Sequence, residues 1–372
     1  MGRSLTYLDY NATAPLRPEA RSAMIGALDD VGNPSSVHGA GRAARGVVET
    51  ARRQVASALG RPAGDVTFTS GATEANNMAI RAAQVAGFAC LASAVEHESV
   101  RAIPGVTLLA VDRGGRLDLG RLEQAIAEAG APVFLSLMAA NNETGVLQPV
   151  EAAAEMVRKA GGRVHCDAVQ AAGRIGLDSL AGQVDSLSLS AHKLGGPQGV
   201  GALISPSARE PEPLMFGGAQ EDRRRAGTEN VAGIAGFGAA IEVSVEDLGA
   251  MAELGVLRDR LEAGVRARDA SVIVAGQEGD RLANTSCMAV PGLTAETQVM
   301  ALDLAGFAIS SGSACSSGKV GVSPVLTAMG FPEDIARNAI RVSLGWQTTP
   351  EEIDGFVDAW SRLRDRHGTV AA

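Results

Sequence analysis

The sequence predicts an α/β protein with a mainly parallel central sheet, helices on both of its faces, and a smaller α+β unit. Three observations carry that expectation. Between about residues 40 and 290, short apolar runs alternate with helical patterns, which is the signature of βαβ units. Several of these runs end in polar residues and glycine, as strands do where the carboxyl edge of a sheet carries a ligand site. After about residue 250 the chain changes character, with a charged helix and scattered strand segments.

A first short run, residues 5–9, lies ahead of the alternation. The runs Asp65-Val-Thr-Phe-Thr, Phe88-Ala-Cys-Leu-Ala-Ser, Val133-Phe-Leu-Ser-Leu-Met, Arg163-Val-His-Cys-Asp and Ser186-Leu-Ser-Leu-Ser are expected strands. Each is short, rich in apolar residues, and bounded by helical or turn signals. Residues 73–85 and 119–128 carry helical patterns between them. Further on come a helix over 254–268 and strands near Ser271-Val-Ile-Val and Asn284-Thr-Ser-Cys-Met-Ala-Val. A helix over 297–304 and the strand Ala339-Ile-Arg-Val-Ser-Leu complete the pattern. A chain of 372 residues exceeds one small core. Residues 16–250 are therefore expected to form a large domain, and residues 1–15 with 251–372 a small one.

Composition narrows the function. Hydrophobic residues make up 46% and charged residues 20%, enough for a substantial core and against global disorder. A net charge of −9 argues against nucleic acid as a main partner, since phosphate backbones require a basic surface. The most apolar stretch, residues 231–243, is too short to cross a bilayer and is followed by Glu246 and Asp247. The first ten residues offer no apolar leader, so a cytoplasmic protein without a membrane role is expected. Cys90, Cys166, Cys287 and Cys315 are far apart and form no CxxC pair. Neither a disulfide framework nor a metal site is expected from them; Cys90 and Cys287 suit small buried positions.

The chemistry concentrates at the ends of the expected strands. Asp185-Ser-Leu-Ser-Leu-Ser-Ala-His-Lys ends in His192 and Lys193, with Gly195, Gly196, Gly199 and Gly201 close behind. A lysine in so open a place can condense with an aldehyde, although a solvated loop lysine has the same signature. Asp167 ends another strand, with Gln170 one turn later. An acid there would suit the ring nitrogen of pyridoxal phosphate; a helix N-cap is the ordinary alternative, and a His-Cys-Asp metal site is disfavoured by strand alternation. Thr69-Ser-Gly-Ala-Thr-Glu joins a strand to a helix and can hold a phosphate on free N–H groups, or can be a simple cap around Thr73. His97 follows an apolar run, where it can stack on a flat ring or merely be hydrogen-bonded. Asn141-Asn-Glu-Thr-Gly closes a further run. Cys315 lies within Ser310-Ser-Gly-Ser-Ala-Cys-Ser-Ser-Gly, a small, polar setting suited to a thiolate nucleophile. Arg341 on an apolar strand can bind a substrate carboxylate, or be structural if paired with a buried acid.

In order and together, these segments resemble the NifS/IscS-type cysteine desulfurases of the aminotransferase class V group, which are fold-type I enzymes of pyridoxal 5'-phosphate. The resemblance extends to Tyr7-Leu-Asp-Tyr-Asn-Ala-Thr-Ala-Pro, Gly32-Asn-Pro-Ser-Ser-Val-His, Arg225-Ala-Gly-Thr-Glu-Asn and Ile340-Arg-Val-Ser-Leu-Gly. It implies that Lys193 carries the cofactor covalently, Asp167 faces its ring nitrogen, Gln170 contacts its ring oxygen and His97 stacks on it. It assigns Ala72, Thr73, Ser190 and His192 to the phosphate, with Asn142 beside the cofactor. Thr228 would reach the phosphate of the other subunit of a homodimer. Arg341, Asn11 and Asn142 would hold the substrate, L-cysteine. Lys193, with His97, would move the Cα proton, and Cys315 would take the sulfur as a persulfide for a separate acceptor protein, as in iron–sulfur cluster biosynthesis. Asp222 and Ala226 depart from the family's usual arginine and serine. A selenocysteine lyase and an inactive partner subunit are the competing readings.

Overall fold

The structure is a computed structural model that describes residues 5–206, 213–312 and 321–368. Among these residues the strands are β1 (Thr6–Tyr7), β2 (Val66–Thr69), β3 (Ala89–Ser93), β4 (Val106–Leu109), β5 (Val133–Ser136), β6 (Arg163–Asp167) and β7 (Ser186–Ser190). They continue with β8 (Gly201–Ile204), β9 (Ile273–Val274), β10 (Thr285–Ala289), β11 (Phe307–Ala308), β12 (Ser310–Ser311) and β13 (Ile340–Ser343). The first three helices are α1 (Pro18–Asp29), α2 (Gly39–Ala58) and α3 (Ala72–Val85).

A seven-stranded sheet in the order β2-β8-β7-β6-β5-β3-β4 forms the centre. The pairs β7–β6, β6–β5, β5–β3 and β3–β4 are parallel, and β8 runs against both of its neighbours. The mainly parallel sheet expected from the sequence is present. Two of its strands were not anticipated. In β8 the leading glycine belongs to a run that looks like a turn. β4 lies in the apolar run Val106-Thr-Leu-Leu-Ala-Val, which was not among the expected strands; in the structure Thr107 and Leu108 are exposed at the sheet edge.

Alternate residues of these strands enter different cores, because side chains along a strand point to opposite faces. Leu91, Leu135 and Cys166 join one cluster with Val48 and Val55 of α2 and Phe237 of the helix Val231–Glu246. Cys90, Ala92 and Phe134 join another with Met78, Ile80 and Ala83 of α3. Both faces are therefore covered by helices. Among the described residues, no helix is long and apolar enough to cross a membrane.

Four of the strands after residue 250 make a separate antiparallel sheet, β12-β13-β10-β9. Its core includes Val274, Ile340, Phe356 and Trp360, together with Leu8 from far upstream. The upstream stretch returns here because β1 pairs in parallel with β11, and Asp9 bridges to Ser343. Residues 5–11 thus run past the second sheet before the chain reaches α1.

Candidate active site

The carboxyl ends of β2, β3, β5, β6 and β7 open into one cavity of about 490 Å³, closed by Asn11, Ala12 and Arg341. That size suits a cofactor-sized ligand, for which about 300–1,000 Å³ is usual. A somewhat larger groove between α1, α2 and the helix Val231–Glu246 carries no lysine, histidine or cysteine on its walls. Every residue singled out in the sequence as a site residue lines the first cavity except Thr228 and Cys315. Thr228 is exposed and lies apart from the cavity walls. Cys315 lies outside the described residues.

One end of the cavity is the start of α3. Gly71 is its N-cap and no side chain caps it, so the first-turn N–H groups of Ala72 and Thr73 face the cavity without a side-chain acceptor. Thr73 is not the cap that the sequence left open; it sits one residue inside the helix. Gly201 of β8 makes the close approach possible, because a Cβ there would meet the Gly71 Cα at 2.6 Å. Ser190 and His192 line the same end. Burial, together with the charge of Lys193, pushes His192 down to about 4, so its ring is neutral at pH 7, with Nδ1 3.2 Å from Thr13 Oγ1. Burial raises Glu74, but hydrogen bonds from Ser70 and Arg225 outweigh it and hold that carboxyl below its ordinary range.

Opposite lies the acid. Asp167 is buried; Oδ1 accepts from the Val169 N–H at 3.0 Å and Oδ2 from Asn76 Nδ2 at 2.8 Å. The helix-cap alternative is thus met by a local turn, without removing the carboxylate from the cavity. His97 begins the short helix Glu98–Arg101, and its Nδ1 accepts from the Ser99 N–H at 3.1 Å. Gln170 has its amide orientation fixed. Arg174, which can only donate, reaches Gln170 Oε1 at 2.6 Å, so the Gln170 amide nitrogen faces Asn11 O at 3.1 Å. Burial, with the nearby charge of Arg341, pushes Arg174 down to about 9.

Lys193 Nζ donates to the carbonyl oxygens of Asn11 and Ala12, each at 2.7 Å. Gly195, two residues on, has φ +93° and packs on the stem of Arg17, a left-handed step that suits glycine and turns the chain sharply after the lysine. Arg341 donates to Asp9 Oδ1 at 2.8 Å and to Asn142 O at 3.1 Å, while its Nε has no partner. Arg341 is therefore paired with an acid, the half-buried Asp9, yet its fork still borders the cavity. Asn11 is fixed by Thr285 and Asn142 O.

Sequence reasoning missed Asn76, Ser99 and Arg174 and gave Glu143 no role. Asn76 had a usable signal, since it lies one helical turn past the phosphate-like loop, and Glu143 lies within the polar motif Asn141-Asn-Glu-Thr-Gly; the others had none. Glu143 accepts from the Ser323 hydroxyl and is pushed up to about 7, chiefly by burial. The cysteines Cys90 and Cys287 are buried with thiols pushed up to about 11 and about 12 by burial, and Cys166 is raised too, chiefly by burial. None of these three is a reactive thiolate. Among the described residues, no cluster of His, Cys, Asp or Glu could hold a metal ion.

Residues 6–356 match the family model for Aminotransferase class-V. A cysteine desulfurase of Cereibacter sphaeroides is 44% identical over 375 residues, covering 97% of this chain and 96% of that protein. Cysteine desulfurase IscS of Dictyoglomus turgidum is 38% identical, covering 98% of this chain and 96% of that protein. The X-ray structure of a NifS-like protein from Rickettsia africae superposes with a TM-score of 0.91 at 34% identity, covering 97% of this chain and 99% of that one.

Proposed function

The chain belongs to the aminotransferase class V family, and from that premise we propose that it is a pyridoxal-phosphate-dependent cysteine desulfurase working through Lys193, Asp167, His97 and Cys315. It removes sulfur from L-cysteine and leaves L-alanine. The observation that carries this reading is one cavity holding a strand-end amine, a buried carboxylate and an uncapped helix start.

The residues fit the cofactor. The uncapped N–H groups of Ala72 and Thr73, with the Ser190 hydroxyl and the neutral His192, would hold its phosphate at the positive end of α3. Asp167 would hold the ring nitrogen, His97 would cover the ring, and the fixed amide nitrogen of Gln170 would meet the ring oxygen. When bound, pyridoxal phosphate supplies an electron sink for bonds at the substrate Cα. The carbonyls of Asn11 and Ala12 give the Lys193 amine a seat whenever it is not bonded to the cofactor. From that seat Lys193 carries the proton at the substrate Cα, with His97 beside it. Arg341, with Asn11 and Asn142, would orient the cysteine carboxylate by N–H bonds beyond the ones given to Asp9 and Asn142 O.

Sulfur leaves by a balanced exchange: L-cysteine and the Cys315 thiol become L-alanine and a Cys315 persulfide, which passes its outer sulfur to an acceptor protein. Thr228, exposed in the single chain, would complete the phosphate site of a second subunit in a homodimer. The large domain would be residues 16–250, and residues 1–15 with 251–372 the small one that bears the cysteine. A cytoplasmic setting with no nucleic acid or membrane partner completes the reading.

The test is mass spectrometry of the holoprotein after incubation with L-cysteine. One sulfur atom, about 32 Da, should appear on the peptide holding Cys315 and disappear with reductant. Cys315→Ala should keep the cofactor colour and lose at least ~10³-fold in sulfide release; sulfide at the parental rate from that variant would overturn the nucleophile.

A further inference from the structure

Asn76 is wholly buried on α3, one turn beyond the helix start, and touches three polar groups at once. Its Nδ2 lies 2.8 Å from Asp167 Oδ2 and 2.9 Å from Ser99 Oγ, and its Oδ1 lies 2.9 Å from His165 Nε2. The donors and acceptors can be assigned. An ionised carboxylate only accepts, so the amide nitrogen must face Asp167. The amide oxygen then faces His165, whose proton must sit on Nε2, leaving Nδ1 to accept from the Ser186 hydroxyl at 2.9 Å. Burial agrees, pushing His165 down to about 3, so the ring is neutral. On the other side Ser99 Oγ accepts from Asn76 and gives its own proton to His97 Nδ1, 2.9 Å away. Since Nδ1 also accepts from the Ser99 N–H, the ring proton of His97 sits on Nε2.

The alignment has a simple origin. His165 and Asp167 are two residues apart on β6, hence on the same face, the one covered by α3, while Cys166 between them points into the opposite core. One carboxamide from α3 can therefore bridge both.

We propose that Asn76 is a positioning residue that holds the Asp167 carboxylate and, through Ser99, the His97 ring in one fixed hydrogen-bonded frame around the cofactor ring. The proposal rests on Asp167 being the partner of the ring nitrogen, as proposed above. His165 is the anchor that sets the direction of the frame. Losing Asn76 leaves the carboxylate held on one oxygen only, by the Val169 N–H, and removes the Ser99 hydroxyl's own anchor beside His97, without removing either side chain.

The experiment uses the holoprotein and pyridoxal phosphate as the probe, with Asp167→Ala, Asn76→Ala, Ser99→Ala and Ser99→Thr. Two readouts do not depend on turnover: cofactor affinity by equilibrium dialysis, and the pH midpoint of the visible band of the bound cofactor. Asn76→Ala should bind the cofactor about 10-fold more weakly and move the midpoint in the same direction as Asp167→Ala, by a smaller amount. Ser99→Ala should leave affinity and midpoint near wild type but lower kcat about 10-fold with KM within about 2-fold, and Ser99→Thr should restore kcat. Asn76→Ala matching wild type while Asp167→Ala departs from it overturns the proposal and leaves the role of Asp167 standing. Asp167→Ala matching wild type removes the ring-nitrogen reading itself. Should Asn76→Ala not fold, the serine pair decides: Ser99→Ala with wild-type kcat, or Ser99→Thr no better than Ser99→Ala, overturns the frame.

Discussion

The two sheets contribute to the cavity in different ways. The seven-stranded sheet delivers its groups from the ends of its strands and just past them: Thr73 after β2, His97 after β3, Asn142 after β5, Asp167 at the end of β6 with Gln170 beyond it, and Ser190 at the end of β7 with Lys193 beyond it. These side chains sit where backbone groups and helix starts also converge, so the sheet serves as a rigid platform and the turns carry the chemistry. The four-stranded sheet contributes Arg341 from within β13, opposite Cys287 of β10 and Ser310 of β12. A guanidinium inside a strand cannot rely on solvent and needs a built-in anion, which Asp9 supplies. Polar groups at strand ends can be exchanged with little effect on folding, whereas one in a strand interior is tied to the stability of its sheet.

The contrast can be broken most forcefully at Lys193. Lys193→Ala should abolish the cofactor's visible band and cut turnover at least ~10³-fold, while the melting temperature of the apoprotein changes little. Arg341→Gln comes next: KM for L-cysteine should rise about 10²-fold, the equivalent of about 3 kcal/mol from a charge-assisted bidentate contact. Steady-state kinetics measure it, and an unchanged KM would make this arginine purely structural. Asp9→Asn should act on folding, lowering stability by about 3 kcal/mol in urea unfolding because it leaves a buried cation without its counter-ion. If Asp9→Asn proved as stable as the parent, the distinction drawn between the two sheets would fail.

The smallest effect is a pH dependence at the seam between the sheets, where Glu143 of the β5 loop meets Ser323. Burial raises Glu143 from 4.5 to about 7, so between those values the folded chain keeps a proton that the unfolded chain has released. Stability from this group therefore falls as pH rises from about 4.5 through 7 and is level above that. His165 works in the opposite sense, since its folded value near 3 makes stability fall as pH drops below its ordinary 6.5. Glu143→Gln should remove only the first trend, so the difference in melting temperature between variant and parent should grow in the variant's favour from pH 5 to pH 7. A constant difference would refute the assignment.

Much of this was legible in the sequence for a physical reason. Asp167, His97 and Lys193 follow short apolar runs, and a polar residue placed there stands out against its neighbours. Arg341 stood out too, but a lone charge in an apolar strand does not say whether its partner is an acid or a ligand; in the structure Asp9 pairs with it while the fork borders the cavity. Ser99 carried no signal, and Asn76 carried only its place one turn past the phosphate-like loop, because a buried polar side chain within a helix pattern differs little from a surface one until the strand beside it is known. Arg174 hid in the same way, as its neutral partners Gln170 and Lys193 O are assembled only by the turn after β6. The strand β8 was missed because it starts in a glycine-rich turn-like run, whereas β4, Val106-Thr-Leu-Leu, carried an apolar signal that was not read.

The clasp formed by residues 5–12 has a consequence for how the molecule comes into being. These residues seat the amine of Lys193 and neutralise Arg341, which lies 332 positions after Asp9. They are translated long before β11 and β13, and such distant contacts form slowly. The nascent protein can assemble its central sheet long before the clasp closes, so the cavity is completed only once the second sheet has been made.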